Sequence, residues 1–173
     1  MDKIIVSNSN RSEEVSSFGD RDARYIDSAV AALNNPGDIV VVEAQHRSLR
    51  DHYVKQILSL LFSAVPGVVV NRCKKDRDWM INAINQAFVK NKVADKAAPF
   101  ALSEIWICDL SGGEDFDLLK LAQTLTSQFE GAGVCVLASC STSITHQTEF
   151  CRWSSRLEIP VWSYLKIRNN IEI

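Results

Sequence analysis

The sequence predicts an α/β protein: a three-layer sandwich in which a mostly parallel sheet of about five or six strands carries helices on both faces. Three observations lead there. Short runs rich in β-branched residues alternate with longer segments whose apolar residues recur at helical spacing. The run Ile39 to Ala44 (IVVVEA) is apolar almost throughout, which suits a strand covered on both faces, as in parallel sheets. The stretch Glu104 to Ser143 holds a whole strand–helix–strand unit. Its polar groups lie just past the carboxyl end of each strand, the edge where open α/β sheets bind ligands.

In chain order, Lys3 to Ser7 carries Ile4-Ile5-Val6 and predicts a strand, and the polar stretch Asn8 to Gly19 predicts a loop. Ile26, Ala29, Val30 and Leu33 place a helix over Asp22 to Asn34, stopped by Asn34-Asn35-Pro36-Gly37. After the Ile39 strand, Ser48 to Ser63 predicts a helix with Ser48 as N-cap and a stripe of Leu49, Tyr53, Ile57, Leu60 and Leu61. Val68 to Asn71 is the next strand. Trp79, Met80, Ala83, Ile84, Ala87 and Phe88 give the helix within Lys74 to Asn91, followed by a charged linker, Lys90 to Lys96. Then come a strand at Ile105 to Cys108, a helix with Leu118, Leu119, Ala122, Leu125 and Phe129, and a strand at Val134 to Ala138. Ile144 to Arg156 reads as a short helix, and Ile159 to Tyr164 as a last strand whose Pro160 favours an edge or a strand start. The tail, Lys166 to Ile173, adds a short edge strand in this reading.

The 173 residues point to a single α/β domain spanning 1–173. A hydrophobic share of 46% and a charged share of 23% are those of an ordinary globular protein. A net charge of -2 argues against a large nucleic-acid footprint, and no apolar run approaches the roughly 20 residues of a membrane helix. The N-terminus lacks the pattern of a signal peptide. The 5 cysteines are odd in number, form no CxxC pair and show no zinc spacing, and the reading is a reducing cytoplasm. No cofactor or metal is expected.

Asp109 closes an apolar strand, and Ser139 closes the next one. This pattern resembles the acid and the polar sensor of RecA-like and AAA+ P-loop NTPases. The resemblance covers Glu104 to Ser143 and implies an acid holding magnesium and a hydroxyl reading a γ-phosphate. The chain departs from that family at the phosphate loop: SNSNRSEE, AQHRSLR and NRCKKDRD follow the first three strands, and none matches GxxxxGK[ST]. On that resemblance the chain is a degenerate NTPase-like domain without its phosphate-binding half. The bland alternative for Asp109 is an acid that caps a turn. Rossmann-like and flavodoxin-like sheets also fit the alternation.

Glu114, Asp115 and Asp117 with Asp109 offer oxygens for a hard cation, but acids in a first helical turn also simply suit the helix dipole. His46, Arg47 and Arg50 follow one strand, and Arg72, Lys74, Lys75 and Arg77 follow another. If both loops share an edge, they form a basic rim facing the acidic turn, suited to a phosphate or an acidic partner. Cys140 and His146 suggest a nucleophile and base without a nucleophile elbow, and no catalytic residue is assigned. Arg152, Trp153, Arg156 and Trp162, with Phe150, read as a partly exposed interface patch.

The expected function is a non-catalytic NTPase-like interaction module, an adaptor or regulator in a larger bacterial assembly, with a protein partner or self-association. One alternative is a nucleotide- or phosphate-binding enzyme using Asp109 and the Ser139–Ser143 loop, Ser141 included, with Arg47, Arg50, Arg72 and Lys75 on the phosphate. Another is a nucleic-acid accessory factor using the basic rim.

Overall fold

The computed structural model describes residues 20–94, 101–111 and 115–163, without the side chains of residues 20–22, 93–94 and 162–163. The strand expected at Lys3 to Ser7, the turn at Gly112-Gly113, Glu114, the tail strand and the Trp162 side chain lie outside the described residues.

The elements run α1 (Asp20–Leu33), β1 (Ile39–Glu43), α2 (Arg47–Ala64), β2 (Val69–Arg72), α3 (Arg77–Ala94), β3 (Glu104–Leu110), α4 (Phe116–Gln128), a 3-10 turn (Glu130–Ala132), β4 (Val134–Cys140), α5 (Thr142–Thr145), α6 (Thr148–Arg156) and β5 (Val161–Ser163). The fold is α/β, as expected, and among the described residues every strand pair is parallel. The strand order is β2-β3-β4-β1-β5. Among the described residues, four strands of 4 to 7 residues form the body, fewer than the five or six expected, and a short β5 of 3 residues pairs with β1 on its other side. This order is neither the Rossmann nor the flavodoxin order, so those two readings fall.

The order follows from how the chain fills the two faces. From β1 the chain crosses β4 and β3 to reach β2, with α2 on one face; it then returns through β3 and β4 to β5 with α3, α4 and α6 on the other. Right-handed crossovers require this change of face when the direction of travel reverses. The α1–α2 face is largely aliphatic: Ile26, Leu33, Ile57 and Leu61 pack on Val40, Val42, Ile105 and Leu137. The opposite face is aromatic. Trp106 is fully buried against Trp79, and its indole N–H donates to Glu104 at 2.8 Å. Phe116, Phe150 and Trp153 stack together at centroid distances of 5.3 to 5.6 Å.

That cluster corrects the expected interface. Trp153 and Phe150 are 5% and 1% exposed and belong to the core, because α6 turns their shared face onto α4; Arg152 and Arg156 remain outside. Three boundaries also shift. The helix after β1 begins at Arg47 with His46 as N-cap, so Ser48 is not the cap. The supposed linker from Lys90 continues α3 as far as Ala94. Ser139 and Cys140 lie within β4 rather than past it, since both pair with β1.

Gly133 turns the chain into β4 at φ 68, and a Cβ there would sit 2.5 Å from Asn91 Nδ2 and 2.7 Å from both Ala101 O and Ser103 Oγ. Both the backbone angle and the space demand glycine. Pro160 precedes β5, and its carbonyl accepts from Val41 N at 3.0 Å. The missing proline N–H costs the ladder nothing at that edge.

Candidate ligand crevice at the strand reversal

Neighbours β1 and β4 send their chains to opposite faces, which opens a crevice between their carboxyl ends; in open α/β sheets this is where ligands lie. Here the chain fills it with Arg50. On α2, Arg50 shares the buried stripe with Tyr53, Val54, Ile57 and Leu61, so helical geometry points its side chain at the sheet. Only 3% of that side chain is exposed. Its Nη1 donates to Ala44 O at 2.9 Å, and its Nε donates to Ser139 Oγ at 3.1 Å. Its Nη2 lies 3.9 Å from Asp109 Oδ1.

Asp109 and Ser139 stand opposite each other in the β3–β4 register, so the two residues singled out by pattern do share one site. The carboxylate is already engaged: Arg47 Nη2 lies 2.9 Å from Asp109 Oδ2. Asp109 Oδ1 is buried and makes no hydrogen bond with the described residues. Two guanidinium groups near one carboxylate leave little electrostatic reason for a divalent cation to join them. Among the described residues, no group of three His, Cys, Asp or Glu side chains is placed to hold a metal.

The basic rim and the acidic turn do face each other, and they are joined. Besides Arg47 with Asp109, Lys75 Nζ lies 2.8 Å from Asp115 Oδ2. Asp117 is engaged by Lys120 at 2.9 Å. A cavity of about 270 Å³ remains on the β2 side of Asp109, lined by Arg47, Arg72, Cys73, Lys75, Ile107, Asp109 and Ser111. That lies just below the roughly 300–1,000 Å³ of small-molecule pockets. Arg72 and Lys75 therefore line this side cavity, while Arg50 and Ser139 fill the crevice itself. Ser141 belongs to neither. Its hydroxyl lies 2.6 Å from Ser143 Oγ and donates to Ser111 O at 3.4 Å.

Cys140 and His146 do not act as a pair. Burial pushes the Cys140 thiol up to about 12, and His146 Nε2 lies 3.3 Å from Glu43 Oε1 instead. Glu43 is a buried acid at the end of β1 that the pattern reading did not single out. By sequence position Arg50 is one of several rim cations; its place on the apolar stripe is the signal that separates it from them.

A comparison of the chain with protein families, curated proteins and solved structures finds no match. Among the described residues, no helix is long and apolar enough to cross a membrane.

Proposed function

We propose that this chain is a non-catalytic, NTPase-like interaction module. The observation that carries the reading is Arg50, which fills the strand-reversal crevice and hydrogen-bonds Ser139 from within. A phosphate loop after β1, a metal-holding acid on β3 and a sensor hydroxyl on β4 would come close together if β4 lay between the other two strands. The order β3-β4-β1 is consistent with that arrangement and supports the reading. What a nucleotide would need there is taken: Arg47 holds the acid, Arg50 holds the hydroxyl, and the segment after β1 carries no glycine-lysine cradle. The domain keeps the frame of such a site and closes it with its own cations.

Partner contact then falls to the outer surface. Among the described residues, β2 bears a neighbour on one side only, and its Val69 is 44% exposed. A sheet edge of that kind accepts an extended strand from a partner, either another protein or a second copy of this chain.

Thermal unfolding with ATP, GTP and dinucleotides, each with and without magnesium, tests the reading. A ligand at 100 times its Kd would stabilise the fold by about 2.7 kcal/mol, a plain rise in Tm. The module shows no rise; a magnesium-dependent one sinks the proposal. A second reading rests on the 270 Å³ cavity, where Arg72 and Lys75 offer charge to a phosphate. It predicts stabilisation by inorganic phosphate without magnesium, lost in Arg72→Ala.

A further inference from the structure

Cys73 follows β2 and Cys108 lies within β3. The β2–β3 register sets Arg72 opposite Ile107, and Cys73 N continues it by donating to Ile107 O at 2.9 Å. The two cysteines are thus lateral neighbours on adjacent parallel strands, both on the aromatic face. Their Sγ atoms lie 2.9 Å apart as free thiols, with the Cys108 S–H donating to Cys73. Adjacent strands run about 4.7–4.9 Å apart, within the roughly 4.4–6.8 Å of Cα separation that a disulfide spans. The two differ in access. Cys108 is 3% exposed, whereas Cys73 is half-buried and lines the 270 Å³ cavity.

We infer that Cys73 and Cys108 are an oxidation site: a thiol pair that a peroxide, arriving through the cavity, closes into a disulfide. The Cys73 thiolate attacks one peroxide oxygen, the O–O bond breaks, and Cys73 becomes a sulfenic acid as hydroxide leaves. The Cys108 sulfur then attacks the Cys73 sulfur. The S–S bond forms, and the sulfenic oxygen departs as water with the Cys108 proton. In sum, two thiols and one peroxide give one disulfide and two waters, with two electrons passing from sulfur to oxygen. The order of attack follows from position. Cys73 lines the cavity and meets the peroxide first, whereas Cys108 lies buried behind it and resolves; the hydrogen bond to Cys73, and then burial, also hold the Cys108 thiol well above its usual range. The bond ties the carboxyl ends of β2 and β3 together, beside Arg72 and Asp109.

The test uses the full chain with the exposed Cys151→Ser, leaving four of the 5 cysteines. The folded protein is treated with hydrogen peroxide, quenched and unfolded, and its thiols are counted and its peptides mapped. Two thiols of four disappear, the fragments holding Cys73 and Cys108 are linked, dithiothreitol restores all four, and Tm rises by several degrees while the bond is closed. The further variant Cys73→Ser loses none of its three remaining thiols under the same treatment. Four thiols retained, a link between any other pair, or Cys73 driven to a form that dithiothreitol does not reduce while Cys108 stays free would each overturn the assignment.

Discussion

At the carboxyl end of the sheet, a cavity of about 270 Å³ is lined by Arg47, Arg72 and Lys75 around Asp109. At the amino end, a cavity of about 290 Å³ is lined by Asp38, Glu130 and Glu158, with no lysine or arginine among the lining residues. The two spaces are alike in size and opposite in electrostatics. At the carboxyl end, unlike charges meet and neutralise one another: Arg47 with Asp109, Lys75 with Asp115. At the amino end, like charges gather. Burial raises the Asp38 carboxyl above its ordinary value, Glu130 raises it further, and a hydrogen bond from Asn35 pulls the other way. The end that serves ligands in related architectures is therefore the settled one here, and the opposite end carries the unrelieved charge.

The sharpest way to break this contrast is Arg50→Ala. It removes a buried cation together with its two hydrogen bonds, to Ala44 O and Ser139 Oγ, and leaves a cavity between β1 and β4. Buried charged hydrogen bonds and the void together set the cost at about 3 kcal/mol, a fall in Tm of roughly 6–12 °C by calorimetry. A loss no larger than that of an exposed arginine would mean that Arg50 does not hold the crevice. Asp109→Ala follows, with a smaller loss of about 1 kcal/mol in denaturant unfolding. Arg47 is 67% exposed, so its pair with Asp109 is worth little, and Oδ1 forfeits no hydrogen bond; the loss comes from the longer pair with the buried Arg50, 3.9 Å from Oδ1. A cost above that of Arg50→Ala would reverse their roles.

At the amino end, the expected changes run in the stabilising direction. Glu158 sits at φ 53 just past α6 and its C-cap Leu157, with its own N–H on Ser155 O and the Ile159 N–H on Ser154 O. That is the Schellman position at which glycine is favoured. Glu158→Gly removes strain and one like charge, and raises stability by about 1 kcal/mol. Asp38→Asn gives the smallest gain, and its pH dependence is the informative part. An acid whose folded pKa is raised binds its proton more tightly when folded, so stability falls as pH rises through the carboxylate range. The variant is therefore slightly more stable than the parent at neutral pH, and the gap closes as pH is lowered through that range. A gap that widens on acidification would contradict the raised carboxyl.

Much of the frame was legible because its signals are local. IVVVEA announces a strand buried on both faces, and β1 is buried at every position. The stripe Trp79, Met80, Ala83, Ile84, Ala87 and Phe88 announces α3. Strand order is not local, and the crevice depends on it. Arg50 stands three residues before Tyr53 and seven before Ile57, so its place on the stripe was visible. Its target, Ser139, is 89 residues away and becomes a neighbour only once β4 lies beside β1. The same holds for Cys73 and Cys108, which lie on strands whose pairing the local pattern does not record. Trp153 misled for a different reason: Glu149, Arg152 and Arg156 surround it in sequence and make α6 look like a surface helix, whereas Phe150 and Trp153, three apart, were its buried face all along.

The position of β1 in the sheet has a consequence for the chain as it is made. Both of its neighbours come late: Ile39 pairs with Val136, and Val41 with Val161. A ribosome adding 5–20 residues per second takes about 5–20 s to produce the hundred or so residues that separate β1 from β4. Throughout that interval IVVVE is an apolar, β-prone segment with no partner strand of its own, the kind of segment that associates with its counterpart on a nascent neighbour. Newly made chains should thus depend on a holding chaperone, and a circular permutant that starts at β4 and brings β1 out soon afterwards should depend on one less.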